Sequence, residues 1–252
     1  MSLRTTTIIV IVVLFPMWSV GCAGNMSATK ERALAMEDMG SSLVLQGNPR
    51  EGLVHLLKAA ELDPSSPSIH HKLALVYQNL GEYDLSLQHY QKAISLRPNF
   101  SEAFNNMGIL YSELKKWDRA LECFQKAASN VLYETPHFAY HNIGLVHFNR
   151  GDYAKAIESY QKALKFSPTY VDVYFDLASA YEASGRLVEA IESYQKAASI
   201  TPEPWQAHLR LGKLYLEMNR TQEAIDEFEF IIETNPRSPA AKEASKLLND
   251  LK

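Results

Sequence analysis

Eight histidines and two cysteines are the side chains of this 252-residue chain best suited to hold a metal or act as nucleophiles. His137 and His141 stand four apart, His147 follows, and His70 and His71 are adjacent. Residues four apart share one face of a helix, so His137 and His141 could supply two zinc ligands. A zinc site needs three or four converging ligands, and Cys123 falls in a different helical pattern. The histidines therefore read as core or groove side chains, and no metal is expected. Cys123, in the run LECFQKA, has only Glu122 beside it and no identifiable base, so it reads as a packed or half-exposed thiol. No Gly-rich phosphate loop, nucleophile elbow or HExxH motif occurs. Carboxylates such as Glu192 fall on solvent-facing positions. No catalytic residue and no cofactor are expected, and the chain does not read as an enzyme.

Cys22 has a different context. The chain opens MSLRTTTIIVIVVLFPMWSVGC, with Arg4 as the lone positive side chain and an apolar run from Ile8 to Leu14 that extends past Pro16 to Val20. The run is shorter than a bilayer span and is broken by Pro16, so residues 1–21 read as a secretory signal peptide. Val20, Gly21 and Cys22 resemble a bacterial lipobox, with Ser19 where leucine is usual. That resemblance implies cleavage before Cys22 and a diacylglyceryl group on its sulfur. The alternative is an uncleaved signal anchor with Cys22 incidental. Ala23 rather than aspartate follows the cysteine, which favours the outer membrane, facing the periplasm, over anchorage at the inner membrane. Residues 22–32 are small and polar without periodicity and read as a lipidated tether.

The remaining composition is that of a packed globular chain. It is 46% hydrophobic and 21% charged, with a formal net charge of −4. Nucleic-acid binding favours a basic face, and this balance offers none. The 11 glycines and 11 prolines are dispersed, so no long low-complexity linker divides the chain.

The elements that position these residues announce themselves by repetition. YQKA occurs at Tyr90–Ala93, Tyr160–Ala163 and Tyr194–Ala197, and FQKA at Phe124–Ala127. A small residue recurs at Gly40, Ala74, Gly108, Gly144, Ala178 and Gly212, and a second twelve residues later in each copy. Prolines 64, 98, 168, 202 and 236 close five of the copies, while the third has its proline delayed to Pro136. Each unit reads as a helical hairpin. In the second, Leu73, Val76, Tyr77 and Leu80 form one stripe, Gly81 breaks the helix, and Leu85, Leu87, Tyr90, Ala93 and Ile94 form the next. Small residues let the paired axes approach, the aromatic of the phrase fills the groove between them, and its alanine admits the next hairpin. Gln and Lys of the phrase point to water. The longer third step is a tolerated loop insertion.

This pattern resembles the tetratricopeptide repeat, over residues 33–238. The expected fold is all-α, a right-handed superhelical solenoid of six hairpins (33–66, 67–100, 101–136, 137–170, 171–204 and 205–238). Residues 239–252 then form a capping helix over the last hairpin's open face. The resemblance implies a concave groove lined by the first helix of each hairpin and suited to a peptide. Its apolar members here are Leu75, Ile109, Phe138, Leu145, Phe148 and Phe175, wider than a soluble solenoid needs to expose. Asn105, Asn106 and Asn142, with His141 beside them, would offer paired donors and acceptors to a peptide backbone. The alternative is that some of the aromatics tuck between hairpins.

A leader of this kind followed closely by six repeats, together with Asn105, Asn106 and Gly108 in repeat three and Leu132, Tyr133 and Pro136 before repeat four, resembles the PilF/PilW/Tgl pilotin family of type IV pilus biogenesis lipoproteins. The resemblance implies a non-enzymatic protein-binding scaffold, anchored to a membrane by lipid, that helps the outer-membrane secretin localise and assemble. Its partner would then be a secretin subunit or another envelope protein. A rival reading is an adaptor lipoprotein of the NlpI kind that docks cell-wall hydrolases.

Overall fold

A computed structural model describes residues 19–251, with side chains from residue 27 onward. Residues 1–18 of the expected signal peptide, and the thiol of Cys22, lie outside the described residues. The described residues hold thirteen helices and no strand. They fall into two compact units, one ending at Leu96 and one spanning Arg97–Lys252.

In the first unit α1 (Ser19–Leu45) pairs with α2 (Pro49–Leu62), and α3 (Pro67–Asn79) pairs with α4 (Tyr83–Leu96). In the second, α5 (Ser101–Glu113) pairs with α6 (Trp117–Ser129), and α7 (Pro136–Asn149) with α8 (Tyr153–Phe166). There too α9 (Val171–Ala183) pairs with α10 (Leu187–Ile200), and α11 (Trp205–Glu217) with α12 (Thr221–Thr234). The last helix, α13 (Pro239–Asp250), covers this unit's end, burying Ala241 and Ala244 in its core. Ser238 starts it by accepting from the Ala241 amide at 3.0 Å.

One turn serves all six hairpins. Gly47, Gly81, Lys115, Gly151, Gly185 and Asn219 each hold a positive φ, between 56° and 84°. The amide at this position donates three residues back and the next amide donates five back, as in Gly151 N to Phe148 O and Asp152 N to His147 O, both 2.9 Å. These bonds satisfy carbonyls the helix end would otherwise leave open. Glycine takes this conformation freely; Lys115 and Asn219 hold it with a Cβ.

An aromatic at the first place of the repeated phrase locks five of the six hairpins, and Leu56 takes that place in the first. Phe124, Tyr160 and Phe228 are fully buried against glycines of the first helix. A Cβ on Gly108 would lie 2.6 Å from the Phe124 ring, one on Gly144 2.4 Å from Tyr160, and one on Gly212 2.3 Å from Phe228. Such contacts let the axes approach closely and bury the whole ring, worth about 1.5–3 kcal/mol for a side chain of this size. The phrase's alanines are fully buried, and within the second unit Ala127, Ala163 and Ala197 are buried as expected where the next hairpin packs.

Several expectations change. Leu85 is 38% exposed, and the buried position beside it is Ser86, whose hydroxyl donates to Ala74 O at 2.8 Å. Pro136 is not a late closing proline but the first residue of α7, the place Pro67 takes in α3 and Pro239 in α13. A missing N–H costs nothing at that position. The connection before it is held instead by Asn130, whose amide donates to Asn99 O (3.0 Å) and Ser101 Oγ (2.8 Å), and by the buried Tyr133. Residues 22–32 are helical, continuing α1, rather than an irregular tether. Beyond Gly24 the segment carries no glycine or proline, and Ala28, Lys30, Glu31 and Arg32 are good helix formers.

Candidate peptide-binding groove

In the second unit α7 lies beside both α5 and α9, so the first helices of three hairpins share a face. Asn142 on α7 donates to Asn105 Oδ1 on α5 at 3.1 Å. Asn105 is buried, so this pair ties the two helices together and Asn105 is not open to a peptide. Asn106 and Ile109 are half-buried on the same helix.

His141 is also buried. Its Nε2 lies 2.6 Å from Asp176 Oδ2 on α9, and its Nδ1 lies 3.3 Å from the Tyr170 hydroxyl. With Nε2–H donating to the carboxylate, Nδ1 is left to accept from Tyr170. Burial, then Asp172 and Asp176, push the Tyr170 phenol above its ordinary range, which keeps it a donor. Both His141 nitrogens are thereby occupied, which removes it as a free metal ligand. Burial, with His141 adding to it, holds the His137 imidazole below its ordinary range.

The apolar side chains are shared between core and surface. Phe138 is 42% exposed, its ring 4.2 Å from His137 and edge-on to Tyr170 at 5.7 Å. Leu145, Phe148 and Phe175 are half-buried against the core, with Phe148 5.5 Å from the Tyr153 ring and Phe175 5.8 Å from Tyr194. Phe138 thus presents the most open aromatic surface of this face, while the other two tuck partly between helices. In the first unit Leu75 is 40% exposed on α3. Beside it Lys72 and Ser68 both reach the buried Glu37 of α1, at 2.8 and 2.5 Å.

Two contributors were not read from the sequence. Tyr170 stands two residues after Pro168, as Phe100 does after Pro98, and the shared Pro-x-aromatic spacing was the available signal. Gln161 and Gln195 of the repeated phrase do not simply face water: they donate to Tyr181 (3.0 Å) and Tyr215 (3.4 Å) of the following hairpin. Elsewhere the Cys123 thiol is buried and pushed up to about 12, first by burial and then by Glu122, so at neutral pH it is protonated and a poor nucleophile. Among the described residues no three His, Cys, Asp or Glu side chains are placed to hold a metal, and no helix is long and apolar enough to cross a membrane.

A stack of helical hairpins with aromatic locks and a partly apolar face on its first helices defines a repeat scaffold. The chain belongs to the tetratricopeptide-repeat family, whose models match residues 40–81 and 144–185, residues 65–132, and residues 182–248. Among solved structures it is similar to PilF of Pseudomonas aeruginosa, at 25% identity and a TM-score of 0.72, over 87% of this chain and 99% of that one. It is similar to PilW, described as a widely conserved type IV pilus biogenesis factor, at 20% identity and a TM-score of 0.71, over 84% of this chain and 97% of that one. A third likeness, to MamA, has 26% identity and a TM-score of 0.60 over 68% of this chain and 92% of that one. No curated protein matches the chain in sequence.

Proposed function

We propose that this chain is a non-enzymatic protein-binding scaffold of type IV pilus biogenesis, held at a membrane by lipid on Cys22, that helps the outer-membrane secretin reach its place and assemble. The observation that carries the reading is the two-way cover of the likeness to PilF and PilW, which takes in 87% and 84% of this chain together with 99% and 97% of theirs, whereas MamA, another helical protein of similar fold, reaches 68% of this chain. The physics supports it. Residues 22–32 lie in α1, where each residue rises about 1.5 Å, so the lipid would sit only about 15 Å from the first hairpin. Tethering at that distance raises the local concentration of any subunit the groove holds. Phe138, exposed beside the His141–Asp176 pair, would be the first contact for such a subunit.

Deleting the gene tests this reading. Loss of heat-resistant secretin multimers and of surface pili, restored by the wild-type gene and not by Cys22→Ala, is the expected result. Intact multimers and pili in the deletion strain would remove it, and changed peptidoglycan cross-linking would turn attention to hydrolase docking.

A further inference from the structure

The repeated phrase sets three tyrosines at one station of α4, α8 and α10: Tyr90, Tyr160 and Tyr194, each at most 1% exposed. In two of them the hydroxyl bonds to the residue twelve positions earlier on the first helix of the same hairpin. Tyr90 donates to Gln78 Oε1 at 3.0 Å, and Tyr194 donates to the Glu182 carboxylate. Twelve positions before Tyr160 stands Phe148, which has no acceptor. The Tyr160 hydroxyl is buried and has no hydrogen-bond partner among the described residues.

Packing does not require that hydroxyl. Phe124 and Phe228 fill the same station in α6 and α12 and are buried just as fully. A buried donor left unpaired is costly to fold around, so an oxygen that serves neither packing nor bonding calls for a use. Its position indicates one. The Tyr160 ring crosses Gly144 of α7 and lies 5.8 Å from the His141 ring, and Asp176 of α9 acts on it electrostatically. The hydroxyl therefore comes up beneath the face that carries Phe138, Phe148 and Phe175.

We infer that the Tyr160 hydroxyl is a specificity point of the groove, donating a hydrogen bond to a neutral carbonyl of a polypeptide segment laid along α7 and α9. The inference rests on the scaffold reading above and adds to it the chemistry that the segment must present. The carbonyl is neutral because Asp176 stands nearby and repels an anion. Burial and Asp176 together keep the phenol protonated, so the donor is always present. Phe148 holds the place from which Gln78 and Glu182 meet their tyrosines, so entry requires this half-buried side chain to turn aside. The bound segment then accepts from a donor that no described residue engages.

The test uses the lipid-free full mature chain (Cys22→Ala) and synthetic peptides tiling the periplasmic domains of the secretin encoded in the same genome. Tyr160→Phe is expected to leave the melting temperature unchanged or raised, whereas Tyr90→Phe and Tyr194→Phe lower it. A peptide that binds the parent chain is expected to bind Tyr160→Phe about tenfold more weakly, the size of one hydrogen bond. Phe148→Gln, which copies the Tyr90–Gln78 arrangement and so engages the hydroxyl from within, is expected to weaken the same peptide. Equal affinity for Tyr160→Phe, or a fall in its melting temperature like that of Tyr90→Phe, overturns the inference.

Should no secretin peptide bind the parent chain, the pilus reading fails, and the inference is read on random phage-displayed peptides selected on the parent chain. Binders that lose affinity for Tyr160→Phe support it, and binders indifferent to the change overturn it. Alanine at an Asn or Gln of the bound peptide that abolishes the Tyr160 dependence assigns the carbonyl to that side chain. A backbone ester that abolishes it assigns the carbonyl to the main chain, and dependence surviving both changes overturns the carbonyl.

Discussion

The side-chain amide of Gln161 donates to the hydroxyl of Tyr181 across 3.0 Å, joining the second helix of one hairpin to the first helix of the next. Gln195 repeats the bond to Tyr215 at 3.4 Å. The phrase YQKA is therefore a joint with several functions. Its aromatic closes its own hairpin, its alanine admits the neighbour, and its glutamine bonds to that neighbour's tyrosine. Repeat arrays gain stability from just such nearest-neighbour contacts.

Replacing Gln161 by leucine removes the bond while keeping bulk. The expected loss is about 0.5–1.5 kcal/mol in urea unfolding, the net worth of one hydrogen bond. An unchanged midpoint would show that Gln161 is merely solvated.

Gly108→Leu should be far more damaging. The first added carbon alone would come within 2.6 Å of the Phe124 ring, which is fully buried and has no room to retreat. A loss of at least about 1–3 kcal/mol by overpacking is expected, with partial recovery when Phe124→Leu is added. Normal thermal stability of Gly108→Leu would contradict the locking role of the phrase's aromatic.

Lys115→Gly should stabilise the chain. Lys115 holds φ at +56° where four other hairpins carry glycine. A side chain in that region costs about 1–2 kcal/mol, and the extra freedom glycine gains on unfolding offsets part of it. A net gain of up to about 1 kcal/mol in chemical denaturation is expected. Asn219→Gly should gain less, because asparagine tolerates the conformation.

Much of this was legible in the sequence, and the remainder was hidden for definite reasons. The hairpins were visible because glycine or alanine must sit where helix axes nearly touch, and this constraint recurs once per repeat, as at Gly108 and Gly144. The turns at Lys115 and Asn219 were not, since neither residue type announces a left-handed backbone as Gly81 does. Pro136 was misplaced because a proline that ends a loop and one that begins a helix look alike as single letters. The groove was harder still. Periodicity put Asn105 and His141 on the right helices, but only coordinates show that Asn142 and Asp176 engage them from adjacent helices.

The first unit should weaken in mild acid. His70 and His89 face each other with Nδ1 atoms 3.1 Å apart, and burial, then His70, lowers the His89 pKa. Below the ordinary histidine value of 6.5 the unfolded chain therefore takes up a proton at His89 before the folded chain does, and stability falls with pH across that window. His89→Gln should flatten the slope of melting temperature against pH between 6.5 and the lowered folded value. An unchanged slope would place the acid sensitivity elsewhere.

The scaffold account stands most directly on one titration, that of the secretin's periplasmic domains against the lipid-free mature chain and its Phe138→Glu variant. Phe138 is 42% exposed, so the change should leave the melting temperature intact. The account predicts saturable binding that Phe138→Glu weakens at least about tenfold, as loss of an aromatic anchor does. Absence of binding by the parent chain, or equal binding by the variant, would contradict it.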